Sequence, residues 1–185
     1  MIDATRIKDM VRWKERDTDE VRFSDYEIYY AINEVLRYLT VHLSNMQSDV
    51  LEREKIYKIS DFIDGAVKLP DDFTSIKGIY RLLDRYRLHA VVGDHVTPDT
   101  FRVFAGRIYA EAGIRLCYYG KILPVKDGSQ IDLPDVFFDV IVKLSRMVLN
   151  NTDVDVMTEA LKAEVDSIVP RRKYNNARAK MPFYV

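Results

Sequence analysis

From Asp25 to Met46 the apolar residues recur at three- and four-residue steps: Ile28, Ile32, Val35, Leu36, Leu39, Leu43 and Met46. That spacing marks one face of a 3.6-residue period and predicts an amphipathic helix roughly 30 Å long. Ser24, with Glu27 three residues on, has the form of a capping box, in which hydroxyl and carboxylate satisfy each other's orphan amides. A shorter helical pattern over residues 1–16 places Ile7, Met10 and Val11 on one side. The charge run Lys14-Glu15-Arg16-Asp17 between the two reads as a solvated turn.

Beyond Met46 the period falls to two. Strands are predicted at Lys55–Ile59, Ala66–Leu69, Ile76–Leu82, Arg87–Val92, Thr100–Phe104, Ile108–Ala110 and Ile114–Tyr119. Leu69-Pro70-Asp71-Asp72-Phe73 reads as a strand end and acidic turn, and Gly93-Asp94, Gly106 and Gly113 break the later strands. No helix-length segment separates them, so the pattern predicts an antiparallel meander, not a βαβ alternation. Helical spacing returns after Leu133-Pro134-Asp135 with Phe137, Val140, Ile141, Leu144 and Val148. It resumes from about Asp153 with Met157, Leu161, Val165 and Ile168, and Pro170 closes it.

The expected fold is α+β and mainly helical. It is a four-helix bundle with an antiparallel β-rich insertion between the second and third helices, followed by an extended C-terminal tail. The corresponding divisions are 1–50, 51–132, 133–169 and 170–185.

Composition alters this picture in two places. Twelve tyrosines and eight phenylalanines are generous for 185 residues and suit a surface that meets partners, although half-buried strand faces use them equally. Net charge is −1, but residues 170–185 carry Arg171, Arg172, Lys173, Arg178 and Lys180 and no acid, leaving 23 basic against 29 acidic residues elsewhere. An acidic body with a basic tail points to a partner for the tail. One cysteine, Cys117, excludes an internal disulfide framework and reads as a small buried hydrophobe. The absence of a signal-like start and of a long apolar run suggests an intracellular chain.

Chemistry is sparse. There is no glycine-rich phosphate loop, nucleophile elbow or spaced cysteine–histidine cluster. His42, His89 and His95 share no motif, and His42 reads as a surface or interface residue of the long helix. The loop from Gly93 to Asp99 holds Asp94, His95 and Asp99, which could ligate a divalent cation, but its Gly-Asp and Pro-Asp pairs read first as turn formers. Asp71-Asp72 reads as a capped turn, since adjacent side chains diverge, and Glu159, Glu164 and Asp166 as solvent-facing helix charges. A hydrolase assembled around His95 and Asp99 is the weakest reading. The expectation is a chain with no catalytic role, metal or cofactor.

The tail combines cations with Tyr174, Phe183 and Tyr184. It suits either an acidic protein surface with aromatic anchors or, as the alternative, phosphates of a nucleic acid bound in a salt-sensitive way.

In order and spacing the chain resembles the head-to-tail adaptor (connector) proteins of tailed bacteriophages. The segments that carry the likeness are DYEIYYAINEVLRYL (Asp25–Leu39), VKLPDDFTSIKGIYRL (Val67–Leu82), IRLCYYGKILPV (Ile114–Val125) and IDLPDVFFDVIVKLSRMVL (Ile131–Leu149). The resemblance implies a virion protein of the phage neck, present in the host cytoplasm during assembly. It implies a ring, commonly of about twelve copies, around a channel through which double-stranded DNA passes without sequence-specific binding. It also implies contact with a downstream tail or nozzle protein and no membrane. The portal protein would be gripped by the C-terminal segment, here Arg171, Arg172, Lys173, Tyr174, Arg178, Lys180, Phe183 and Tyr184.

Overall fold

The computed structural model describes residues 1–93 and 95–169. In chain order the elements are β1 (Ile2–Asp3), α1 (Ala4–Glu15), α2 (Asp25–Asn45), β2 (Glu52–Tyr57), β3 (Ala66–Lys68), β4 (Phe73–Arg81), β5 (His89–Ala90), β6 (Thr100–Phe104), β7 (Arg107–Tyr109), β8 (Ile114–Gly120), β9 (Gln130–Ile131), α3 (Phe138–Leu149) and α4 (Val154–Ile168). The long helix starts where the capping box predicts. Ser24 Oγ accepts from the Glu27 amide at 3.3 Å, and Glu27 Oε2 accepts from the Ser24 amide at 2.8 Å.

Two apolar cores organise the chain. One joins the buried faces of all four helices: Ile7 and Val11 of α1, Ile28 to Leu43 of α2, Val140 to Leu144 of α3, and Met157, Leu161 and Val165 of α4. The other lies in the β-rich part around Tyr57, Val67, Ile79, Phe101, Ile108, Leu116 and Tyr118. Strand β8 stands between them. Its alternation sends Tyr118 into the β core and Tyr119 against the helical core.

The helices do not form a four-helix bundle carrying an insertion, and the expected fold class is corrected accordingly. Ile2, Leu51, Ile122, Val125, Ile131 and Leu133, all outside the four α-helices, are buried in the helical core. The helices therefore complete their burial against strands and extended chain, not against one another alone. β1 pairs with β9 across the molecule, Ile2 opposite Ile131, which ties the first residues to the end of the β-rich stretch. The strands are also not a simple meander. They fall into three sheets, ordered β1-β9, β2-β8-β4 and β3-β7-β6-β5. β8 pairs between two strands that precede it by tens of residues, and β5 runs parallel to β6. Period-two spacing marks strands but carries no information on which strand neighbours which.

Extended chain from Lys121 to Val125 is pinned along α2. Asn33 donates from Nδ2 to the Val125 carbonyl at 3.0 Å and accepts the Val125 amide at 2.7 Å, and Thr40 Oγ1 accepts the Ile122 amide at 3.2 Å. These two polar residues satisfy backbone groups that a bundle helix would have had to exclude.

The turn between α1 and α2 is solvated over most of its length, Lys14 and Arg16 included, but Asp17 and the Glu15 side chain are drawn inward. Arg12 is only 6% exposed and Asp17 5%. Arg12 donates to Asp17 and to the Phe23 carbonyl, both at 3.0 Å, and also to Asp25. Asp17 accepts the amides of Arg22 at 2.7 Å and Phe23 at 3.0 Å. Those amides hold the Asp17 carboxyl below its ordinary range, and the Arg12 guanidinium does the same for Asp25. Glu15, its side chain nearly buried, accepts from Arg146 on α3 at 2.6 Å and from Arg22 at 3.2 Å. A run of four charges offers each side chain several possible partners, and its pairing depends on the approach of α3.

Replacing Arg12 by Ala leaves the buried Asp17 carboxylate without its cation, while Asp25 keeps Lys8. Since breaking such a pair costs about 3 kcal/mol, a fall in Tm of roughly 6–12 °C is expected. The carboxyl groups of Asp17 and Asp25 titrate lower when folded than when unfolded. Their stabilisation is therefore full above the unfolded value near 3.8 and is lost as pH falls through the lower folded values. Thermal melts below pH 4 should show a steeper loss of stability for the parent than for Asp17→Asn; parallel curves would contradict it.

Candidate functional site

With its core-facing stripe buried, α2 turns a second stripe to solvent. Tyr26, Tyr30, Arg37 and Val41 follow at steps of four, seven and four residues, so they share a face. Tyr26 is 80% exposed, and Tyr30 and Val41 are more than half exposed. Tyr29 shows the contrast. It packs against the core, and its hydroxyl donates to Asp127 at 2.8 Å. On α1 the indole of Trp13 is also exposed, with the Lys14 ammonium 5.0 Å from its ring centre. Exposed Tyr, Trp and Arg are the residues that protein interfaces favour.

The β-rich part carries its own apolar surface. Leu82 and Leu83, in the turn after β4, converge with Ile59 and Gly113 on a shallow groove of about 470 Å³. The Leu82 amide donates to the Gly113 carbonyl at 2.8 Å, which fixes one wall. Leu83 is almost fully exposed, as is Ile63 for the most part. Phe104 stands out on the β6–β7 hairpin, where Ala105 and Gly106 both take positive φ, the two-residue turn that suits strand twist. Apolar side chains grouped in this way mark contact surfaces more often than isolated ones do.

The residues with potential for chemistry are drawn into structural pairs. Asp71 takes Lys68 at 2.7 Å, while its neighbour Asp72 accepts the Tyr118 hydroxyl at 3.0 Å. Burial, and then that bond to Asp72, pushes the Tyr118 hydroxyl up to about 12. Asp99 accepts from Arg81 at 3.1 Å, and Arg81 also grips Asp84, whose carboxyl it lowers to about 2. His95 is exposed beside Gly65 and Tyr109, and Asp94 lies outside the described residues. Among the described residues no group of three His, Cys, Asp or Glu side chains is placed to hold a metal ion.

Glu159 pairs with Lys162 and Glu164 with Lys143. His42, read as a surface or interface residue, is partly buried. Its Nε2 lies 3.9 Å from Asp166, half-buried between α2 and α4. Cys117 is half-buried on the outer face of β8, opposite Glu54 and Gly78, and burial raises its thiol. Its apolar neighbours in sequence point to the other face.

Arg171, Arg172, Lys173, Tyr174, Arg178, Lys180, Phe183 and Tyr184, the expected portal-binding residues, lie outside the described residues. The structure thus brings together a different set: Tyr26, Tyr30 and Val41 on α2, and Ile59, Leu82 and Leu83 on the β-rich part. The signal for the first set was present, since an aromatic at i and i+4 on the polar side of a helix stands out against its charged neighbours. The second set comes from separate segments and had none. No family model matches the chain, and comparison with curated proteins finds no match. Among the described residues no helix is long and apolar enough to cross a membrane.

Replacing Tyr26 and Tyr30 together by Ser should leave Tm within about 2 °C, as expected for exposed positions. Leu36→Ala on the opposite face should cost about 2–5 kcal/mol. Equal effects of the two changes in a thermal melt would show that the outer stripe is packed in solution.

Proposed function

We propose that this chain is a structural head-to-tail adaptor subunit of a tailed bacteriophage. Copies form a ring beneath the portal and join head to tail around the DNA channel. The observation that carries the reading is the pair of dissimilar apolar surfaces, one on the helical core and one on the β core. A subunit that meets a neighbour with one surface and presents another to the next copy makes heterologous contacts, and such contacts close into rings when the rotation permits. The resemblance of the chain to adaptor proteins over Asp25–Leu39, Val67–Leu82, Ile114–Val125 and Ile131–Leu149 supports the same reading. So does the engagement of carboxylates in ion pairs and turns, which gives them structural work in place of catalytic work.

In this reading the subunit has no catalytic role, and residues 170–185 dock on the portal. Their +5 charge complements an acidic partner surface, and Phe183 and Tyr184 serve as anchors. The β-rich part meets the downstream tail or nozzle protein.

The test is co-sedimentation with the portal ring encoded alongside this chain. The full chain is compared with Arg171→Glu/Arg172→Glu/Lys173→Glu and with Tyr26→Ser/Tyr30→Ser. The full chain is expected to pellet with the portal in a fixed ratio. Charge reversal should abolish pelleting, and the tyrosine variant should lower the number of copies retained per ring. A full chain that stays in the supernatant, yet shifts duplex DNA at low salt, would replace the adaptor by a nucleic-acid-binding accessory protein.

A further inference from the structure

The helical core is left open at one end. Where α4 finishes, a groove of about 270 Å³ lies between the end of α2 and the single turn that precedes α3. Its walls are Met46, Val50, Val136, Ile168 and Val169 over a floor of fully buried Phe137, and Ser48 and Asp49 form its polar lip. Val136 is 58% exposed even though it stands beside four apolar neighbours. A groove of this kind on a folded core calls for an apolar cover.

Three observations point to one occupant. First, the chain leaves the described fold through the groove itself, because Ile168 and Val169 are part of its wall. Eleven residues, 170–180, then separate Val169 from Met181-Pro182-Phe183-Tyr184-Val185. Extended, they reach at most about 40 Å, ample for a return to the same groove. Second, an apolar cavity of about 150 Å³ accepts a benzene ring. This groove, at about 270 Å³, has room for one aromatic ring and a companion side chain, which Phe183 and Tyr184 supply. Third, the surroundings are acidic. Segments 1–50 and 133–169 together hold 10 basic and 17 acidic residues, and Asp49 and the exposed Asp135 stand next to the groove. The connecting residues bring Arg171, Arg172, Lys173, Arg178 and Lys180 past them.

We propose that residues Met181–Val185 dock in this groove of their own chain. Tethering supplies an effective concentration in the millimolar range, so an intrinsic dissociation constant of about 1 mM already half-fills the groove. The inference does not depend on the adaptor reading. Where both hold, the same aromatics serve two sites, and capture by the portal displaces them from the groove. The subunit then carries its docking segment covered until a partner competes for it.

The test uses the full chain with Cys117→Ser, Val136→Cys and Phe183→Cys, oxidised by glutathione disulfide at low micromolar protein concentration. An intramolecular disulfide is expected, seen as a monomer of altered mobility that reverts on reduction. The control Cys117→Ser/Val21→Cys/Phe183→Cys, with its second thiol on the exposed α1–α2 loop, should give none. A disulfide-linked dimer in place of the monomer would assign the groove to the segment of a second copy and overturn docking within one chain. Equal yields from the two variants would remove the groove as a site.

Hydrogen exchange on chains without added cysteines is the second measurement. Amides of 46–50 and 135–137 should exchange about twofold faster in Phe183→Asp/Tyr184→Asp than in the parent if the groove is half-filled. Identical rates would overturn the proposal. Neither measurement involves the portal, so failure here leaves the adaptor reading intact, and failure of co-sedimentation leaves this one intact.

Discussion

The structure depends on the burial of one long apolar face. From Ile28 to Leu43 the core-facing side chains of α2 are essentially inaccessible to water, along about 22 Å of helix. Each such side chain contributes on the order of 1.5–3 kcal/mol when withdrawn from water. No single helix is wide enough to cover that face. α3 lies along it, α1 and α4 flank α3, and the remaining strip is covered by Ile122, Val125 and Leu51 from the β-rich stretch. The polar residues Asn33 and Thr40 sit where helix gives way to extended chain, because a backbone laid against a helix needs partners for its own amides.

Strand β8 meets the same constraint from the other side. Its alternation is strict, with Ile114, Leu116 and Tyr118 buried and Arg115, Cys117 and Tyr119 only partly so. One side builds the β core, and the last residue on the other side reaches the helical core. The two cores thus meet through a strand that belongs to both. The β-rich stretch is consequently a structural half of the molecule and not an ornament on a bundle. The apolar side chains left uncovered fall on both halves, which gives the chain two unlike apolar faces.

Much of this was legible from residue spacing, and the failures are instructive. α2, its capping box, and the strands at Ala66, Thr100 and Ile114 follow from period and capping alone, because those depend on neighbours within a few positions. Strand order did not follow. β8 pairs with β2 and β4 through contacts about 35 to 65 residues distant, and nothing in Ile114–Gly120 names its partners. Glu15 and Asp17 misled for a related reason. A charge run looks solvated until the fold brings Arg146, Arg22 and Phe23 around it; Glu15 and Asp17 then become buried partners, while Lys14 and Arg16 stay exposed. At the surface, Tyr26 and Tyr30 could be found by their helical spacing, whereas Ile59, Leu82 and Leu83 could not, since tertiary structure alone gathers them.

The β1–β9 ladder, Ile2 opposite Ile131, also fixes an order of events in time. α1 is synthesised well before α3, against which it packs and which follows more than a hundred residues later. At translation rates of about 5–20 residues per second, the apolar face of α1 waits roughly 6–26 s for its partner. During that interval Ile7 and Val11 are open to any competing surface in a crowded cell. Until then the only helical neighbour of α1 is α2, which Lys8 and Arg12 reach through Asp25. The short length and high charge of α1, which weaken it in isolation, keep it soluble while it waits.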